Sequence, residues 1–295
     1  MLQGNALKEA SRRLAADLRA RMAETQHGVG TFADHVLLAF IAHLEQGDEE
    51  QGDESVSWED RVAGSGDSIE REALQRLQRL VNRREQGRFV EYPERAQAPD
   101  GVHGNCDVGY FDMVMSQGEV DCLQWKGRPL FKTVYDVSLY PMLLWALKPK
   151  TIIELGSGTG ASAIWLADLA AMFGIGSHVH SVDLQTPAVQ HEPISFIKGD
   201  CETIADVLDE AFLRSAPHPW MVIEDAHVNV LGVLRHLHPY IRQGDYVVVE
   251  DSAGKQDEIR RFLSREPDCY KVDTYYTDFF GRNATCAQDS ILVRT

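Results

Sequence analysis

The rhythm of apolar positions changes near Pro129. Before it, apolar residues recur mostly at three- and four-residue intervals. After it, short and wholly apolar runs alternate with longer amphipathic stretches. Leu7, Ala10, Leu14, Leu18 and Met22 share one face of a helix. Phe32 to Leu44 (FADHVLLAFIAHL) predicts a second, more apolar helix, and Ile69 to Arg84 a third with Leu74, Leu77, Leu80 and Val81 on one side. Between these two, residues 46–67 (QGDEEQGDESVSWEDRVAGSGD) are too poor in apolar side chains to offset the entropy of ordering, and read as an acidic linker. Segment 86–130 is irregular, with Pro93, Pro99, the aromatic stretch GYFDMVM and then LQWKGRPLFK. The expected organisation is a helical region over 1–100, a cap or connecting segment over 101–130, and a larger domain over 131–295.

In that larger part an amphipathic helix (Val134 to Leu147) leads into strands at Thr151 to Leu155, His178 to Asp183, Ile194 to Lys198, Trp220 to Glu224, Tyr246 to Glu250, Tyr270 to Tyr276 and Ser290 to Arg294. Helices fill the intervals at Ala161 to Phe173, Glu202 to Leu213, Val230 to Tyr240 and Gln256 to Ser264. Strands alternating with helices predict an α/β fold with a mostly parallel sheet. The last two strands are joined by a loop without a helix, so the final strand is expected to insert antiparallel.

Composition narrows the partners. The chain has 295 residues, 44% of them hydrophobic and 25% charged, enough for a sizeable core. Its formal charge of -16 would repel nucleic acid and anionic lipid, and leaves small molecules or cationic partners as the expectation. Five scattered cysteines without a CxxC pair read as reduced thiols. The opening MLQGNALKEASRRL lacks the apolar core of a signal peptide, and no run approaches the ~20 apolar residues of a membrane helix. A cytoplasmic location is the expectation.

Candidate chemistry lies at the strand ends. After the first of the seven strands comes ELGSGTGAS, running from Glu154 through Gly156, Ser157, Gly158 and Gly160 to Ser162. Its glycines allow a tight turn and close approach to a ligand, and the helix that follows offers free N–H groups and a positive dipole end. The second strand ends in Asp183, placed to bind ribose hydroxyls, and the third is followed by Asp200, placed to accept an adenine amino group. Both also suit helix capping. The fourth strand closes with IEDAH and the fifth with VEDS. Glu224, Asp225, Glu250 and Asp251 would meet at the carboxyl edge of the sheet, where several carboxylates repel unless a cation lies among them. Oxygen ligation suits Mg²⁺ first, then Ca²⁺ or Mn²⁺. His227 is the histidine beside these acids; His178, His180, His236 and His238 read as packing or surface residues.

E-L-G-S-G-T-G, an acid after strand two, G-D after strand three and an antiparallel last strand resemble a class I S-adenosylmethionine-dependent methyltransferase over roughly Lys132 to Thr295. The resemblance implies a Rossmann-like seven-stranded sheet, with Glu154 to Gly160 on the methionine part, Asp183 on the ribose, and Asp200 with Cys201 on the adenine. The metal end is similar to metal-dependent small-molecule O-methyltransferases, more closely to the cephalosporin hydroxylase and macrolide-sugar O-methyltransferase group. That similarity implies Glu224 or Asp225, with Glu250 and Asp251, as Mg²⁺ ligands, and His227 as the base. The implied activity is metal-assisted methylation of a hydroxyl on a small glycoside, polyketide or peptide metabolite. The alternatives are hydroxylase-type or N-methyltransferase activity on the same platform, or a non-catalytic cofactor-binding assembly protein. A homo-oligomer, with no nucleic acid and no membrane, completes the expectation. Trp125, Lys126 and Arg128, and Phe279, Phe280, Arg282 and Asn283, are further candidates for covering the crevice.

Overall fold

The computed structural model describes residues 4–24, 38, 41–42, 87–95 and 106–295. Contacts within the chain divide it into two compact units, Met1–Gly87 and Arg88–Thr295. In the first, Gly4–Glu24 is a helix, with Ala10, Ser11, Leu14, Ala15 and Leu18 buried along one stripe. Of the helix expected over Phe32 to Leu44, only Leu38, Ile41 and Ala42 are described, all helical. The linker at 46–67 and the helix at 69–84 lie outside the described residues.

The second unit is built on an eight-stranded sheet, one strand more than expected. Its strands are β1 (Phe89–Val90), β4 (Thr151–Leu155), β5 (His178–Asp183), β6 (Ile194–Lys198), β7 (Trp220–Glu224), β8 (Tyr246–Val249), β9 (Tyr270–Asp273) and β10 (Ile291–Arg294). Strands β2 (Gln124–Trp125) and β3 (Arg128–Pro129) form a separate hairpin. The sheet order is β1-β9-β10-β8-β7-β4-β5-β6. Pairing is parallel from β6 through β8, and β10 runs antiparallel to both β8 and β9, as expected. This is the Rossmann-like fold.

The added strand is β1, two residues from the segment read as irregular, lying antiparallel on β9. β9 is shorter than the expected Tyr270 to Tyr276. The Asp273 side chain accepts from Tyr275 N at 3.1 Å and turns the chain into a helical turn, Thr274–Thr277.

Residues of β4 and β7 are buried on both faces, as the apolar runs demanded. One face, with Ile153, Leu155, Val222, Val247 and Val249, packs under the helices Val230–Leu237 and Gln256–Leu263. The other, with Ile152, Ile223 and Val248, packs under Val134–Leu147 and Ala161–Met172. β4 has β5 on one side and β7 on the other, so the chain reverses its direction of travel across the sheet there. A crevice opens at the carboxyl ends of these strands.

Candidate active site

A cavity of about 450 Å³ occupies that crevice. It is walled by Gly156, Ser157, Gly158 and Ser162 of the glycine loop, by Asp183, by Asp200 and Cys201, and by Asp225, His227 and Asp251. The glycines are needed where they stand. Gly156 has φ +103°, and a Cβ there would lie 2.6 Å from the carbonyl oxygen of Asp225. Gly160, the residue before the helix Ala161–Met172, has φ +79°, and its Cβ would meet Pro187 at 2.9 Å. The Gly158 amide donates to Asp183 Oδ2 at 2.9 Å, tying the loop to the end of β5. Asp200 also caps the turn that follows it, accepting from Glu202 N at 2.9 Å. Burial pushes the Cys201 thiol up to about 11, so it meets the cavity as a neutral group.

Glu154 does not face the cavity. It is buried and accepts the Ser181 hydroxyl, and Ser181 lies 2.5 Å from the Ser157 hydroxyl. Burial raises its pKa, with hydrogen bonds from Ser162 and Ser181 opposing. Its part is to brace the loop from behind. Gly160 likewise shapes the loop without lining the space.

The four acids separate by strand parity. Glu224 continues the alternation of Trp220 and Val222, so it points into the layer beneath the helix Gln256–Leu263. There it is fully buried, with Lys255 Nζ at 2.8 Å from Oε2. Glu250 continues the opposite face, that of Tyr246 and Val248, where it takes the Tyr140 hydroxyl and Lys132 Nζ, the latter at 2.5 Å. Neither belongs to the cluster expected of both. Asp225 and Asp251, one residue past the last inward-pointing position, turn into the crevice. With His227 they form the cluster found among the described residues, donor atoms all within 4.8 Å of one another. His227 Nε2 is 3.5 Å from Asp225 Oδ1 and 3.5 Å from Asp251 Oδ2. His227 (φ +59°) and Asp251 (φ +45°) both adopt the left-handed backbone, costly for non-glycine residues and concentrated at functional sites.

Lys132 is a residue the sequence reasoning passed over. It is 3% exposed, lines the cavity, and bridges Glu250 to Asp225, whose Oδ2 lies 2.9 Å from Nζ. Burial opposes its charge, yet Asp225 and then Glu250 hold it protonated well above the ordinary lysine range. For Glu250, burial favours the neutral acid and Lys132 opposes it. The only signal in the sequence was a lysine just ahead of the amphipathic helix, beside an apolar Leu130–Phe131 pair.

Two carboxylates and an imidazole facing one point are a donor set that fits a divalent cation. Charge agrees: Asp225 and Asp251 bring two carboxylates to the crevice, and Lys132 pairs with the first of them. Among the other candidates, Trp125 Nε1 and Lys126 Nζ bind Asp168 at 2.7 and 2.8 Å, docking the β2–β3 hairpin on the helix Ala161–Met172. Arg128 donates to Thr159 O at 3.0 Å. Asn283 is buried among Arg95, Asp278 and Asp289, and neither it nor Phe279, Phe280 or Arg282 lines the cavity. His236 and His238 are spent on Leu208 O at 2.7 Å and the Tyr270 hydroxyl at 3.1 Å.

Comparison with known proteins matches this architecture. The family model described as Rhamnosyl O-methyltransferase/CmcI matches residues 118–269. The rhamnosyl O-methyltransferase of Mycobacterium leprae (strain TN) is 28% identical over 191 residues, covering 58% of this chain and 82% of that protein. The protein of the same name from Mycobacterium tuberculosis (strain ATCC 25618 / H37Rv) is 26% identical over 191 residues, covering 58% and 77%. Among solved structures, the CmcI-N160 apo-structure superposes with a TM-score of 0.53 at 28% identity, covering 68% of this chain and 82% of that one. The cmcI-D160 Mg-SAM structure gives 0.51 at 27% identity, covering 70% and 90%. With more than half of its residues matched by the family model, and a glycine loop and acid cluster meeting at one crevice, the chain belongs to the Rhamnosyl O-methyltransferase/CmcI family of S-adenosylmethionine-dependent methyltransferases.

Proposed function

We propose that the protein transfers the methyl group of S-adenosylmethionine to a hydroxyl of a small glycosylated natural product, assisted by a divalent cation such as Mg²⁺. The observation that carries this reading is that the Asp225, His227 and Asp251 cluster opens into the same cavity as the glycine loop, Asp183 and Asp200. Support comes also from mycobacterial relatives named for a rhamnosyl acceptor, and from a solved neighbour described with Mg and SAM.

In this reading the loop from Gly156 to Ser162 cradles the methionine part, Asp183 takes the ribose hydroxyls, and Asp200 with Cys201 borders the adenine. Asp225 and Asp251 hold the cation. Lys132 and Glu250 fix Asp225 from behind, and the Glu224–Lys255 pair anchors the end of β7. When bound, the cation would lower the pKa of the acceptor hydroxyl. Nε2 of His227 takes the hydroxyl proton as the methyl group transfers. A second reading of His227, as the third cation ligand, is favoured by its equal 3.5 Å distances to the two carboxylates.

The test incubates the protein with methyl-labelled S-adenosylmethionine and a panel of rhamnosides and other glycosides, in EDTA and in MgCl₂. A labelled methyl ether formed only with the cation is the expected result. Equal turnover in EDTA overturns the metal-assisted mechanism, and failure to bind S-adenosylhomocysteine overturns the whole reading. Cation titration of His227→Ala then decides its role: unchanged affinity with lost turnover means base, lost affinity means ligand.

A further inference from the structure

Asp136 is a buried carboxylate that the function proposed above leaves unused. It stands in the first turn of the helix Val134–Leu147, 1% exposed, and its partners among the described residues are hydroxyls and an amide rather than a cation. Burying an ionised carboxylate without a countercharge is costly, so its place calls for a reason. Helix capping does not supply one, because Thr133 Oγ1 already accepts from the Asp136 amide at 3.1 Å. We propose that Asp136 is a positioning residue of the cation site, holding Asp251 in place through Thr285 and Cys286. The inference rests on the cation reading above and adds the residue that sets its geometry.

The contacts lead from Asp136 to the cluster in two steps. Asp136 Oδ1 accepts from Thr285 Oγ1 at 2.5 Å, and Oδ2 accepts from Cys286 N at 3.2 Å. The segment held in this way, just ahead of β10, grips the residue that follows Asp251. Cys286 O accepts from Ser252 N at 3.0 Å and from Ser252 Oγ at 3.3 Å, and Gln288 O accepts from Ser252 Oγ at 2.9 Å. Ser252 is fully buried. The Cys286 thiol, kept protonated by burial and the acids around it, donates to the Asp251 carboxylate. Asp136 itself neither lines the cavity nor joins the cluster, so its influence there passes through this segment.

The residue before Asp251 is held from the same helix. Tyr140 lies one turn on from Asp136, and its hydroxyl donates to Glu250, which Lys132 also binds. Both flanks of Asp251 are therefore fixed by Val134–Leu147, one by Tyr140 directly and the other by Asp136 at one remove.

Asp251 needs such support. Its φ of +45° is a conformation that a residue other than glycine keeps only where its surroundings over-determine it. Its side chain is 50% exposed, so packing does little to orient the carboxylate. A cation ligand has to be held within about 0.5 Å of its working position. Removing the groups behind such a ligand typically costs about 10- to 100-fold in metal affinity.

The test is calorimetric titration with MgCl₂ in the presence of S-adenosylhomocysteine, with the affinity for S-adenosylhomocysteine and the urea midpoint measured alongside. Thr285→Val removes the hydroxyl at nearly constant volume, and Thr285→Ser keeps it. Thr151→Val is the matched control: its hydroxyl is also buried and donates to Pro217 O at 2.7 Å, but at the opposite edge of the sheet. Thr285→Val should weaken Mg²⁺ binding at least about fivefold and Asp136→Ala at least about tenfold, both with S-adenosylhomocysteine affinity within about twofold of wild type. Thr285→Ser should return Mg²⁺ affinity to within about twofold of wild type, and Thr151→Val should lower only the urea midpoint. If Asp136→Ala does not fold, the Thr285 pair decides. Mg²⁺ affinity in Thr285→Val within about twofold of the Thr151→Val value, or no recovery in Thr285→Ser, would overturn the positioning role while leaving the cation reading intact. No Mg²⁺ binding by wild-type protein at millimolar concentration overturns the cation reading, and this inference with it.

Discussion

Replacing Lys132 with methionine keeps most of the unbranched side chain and removes its charge from the most closely packed ionic contact of the site. In the native fold Nζ is 2.5 Å from Glu250 and 2.9 Å from Asp225, and the three side chains are 3%, 4% and 20% exposed. Removing one partner of a buried ion pair costs about 3–5 kcal/mol, because the remaining charge is left without compensation. Water reaches Asp225 and screens part of the loss, but does not reach Glu250, so the lower end, about 3 kcal/mol, is expected. Lys126→Met is the matched control: its pair with Asp168 has a lysine side chain 56% exposed, and exposed pairs contribute roughly 0–1 kcal/mol. The assay is urea unfolding followed by tryptophan fluorescence, in EDTA and again in MgCl₂. The cation should restore stability to Lys132→Met more than to wild type, since it supplies the missing positive charge. Adding Glu250→Gln to Lys132→Met should recover at least about 1 kcal/mol by removing the orphaned carboxylate. A Lys132→Met loss within about 1 kcal/mol of the Lys126→Met loss, or a double variant at or below the sum of its singles, would refute this account.

Asp225→Asn should weaken cation binding by at least about tenfold in calorimetric titration, whereas Glu224→Gln should leave it within about threefold and lower the urea midpoint instead. Gly156→Ala forces a φ of +103° on a side-chain-bearing residue and sets its methyl 2.6 Å from Asp225 O. A cost of about 1–3 kcal/mol follows, read as roughly a 5- to 150-fold loss of S-adenosylhomocysteine affinity. Burial lowers the His180 imidazole to about 4, with His178 adding to the shift. The unfolded chain takes up that proton near pH 6.5 and the folded one only near 4. Stability should therefore be flat above pH 6.5 and fall as pH drops through that window. His180→Gln should flatten the decline in urea midpoints measured from pH 7 to 4.

Parallel strands β4, β7 and β8 were legible because each is an apolar run buried on both faces, and the antiparallel last strand because only the short turn Thr274–Thr277, not a crossover helix, separates it from β9. β1 was not, since two residues carry no periodicity and its partner strand is far off in sequence: Val90 pairs with Val272, 182 positions away. The acids show a finer point. Glu224 and Glu250 were read as site residues because they end apolar strands, yet the alternation that located those strands also dictates that their last residues point into a packed layer. One step further along the chain, Asp225 and Asp251 escape that rule. Glu154 follows the same parity, on the face of Ile152. The binding partners of the buried acids, Lys132, Tyr140 and Lys255, were invisible for a different reason: they arrive from other elements, and nothing local marks them.

The segment Arg88 to Arg95 sets where this protein can be cut. Arg88 makes paired 2.8 Å bonds to Asp273, and Arg95 is buried in ion pairs with Asp278 and Asp289 at 2.7 Å. All of these residues lie outside 118–269, the stretch that carries the family likeness. A fragment trimmed to begin after residue 95 would strip β9 of its edge partner and leave three buried aspartates without their arginines. Such a fragment would present a raw strand edge to its neighbours and tend toward aggregates rather than monomers. The stretch by which relatives are recognised is thus smaller than the compact unit of the fold that holds it, which begins at Arg88.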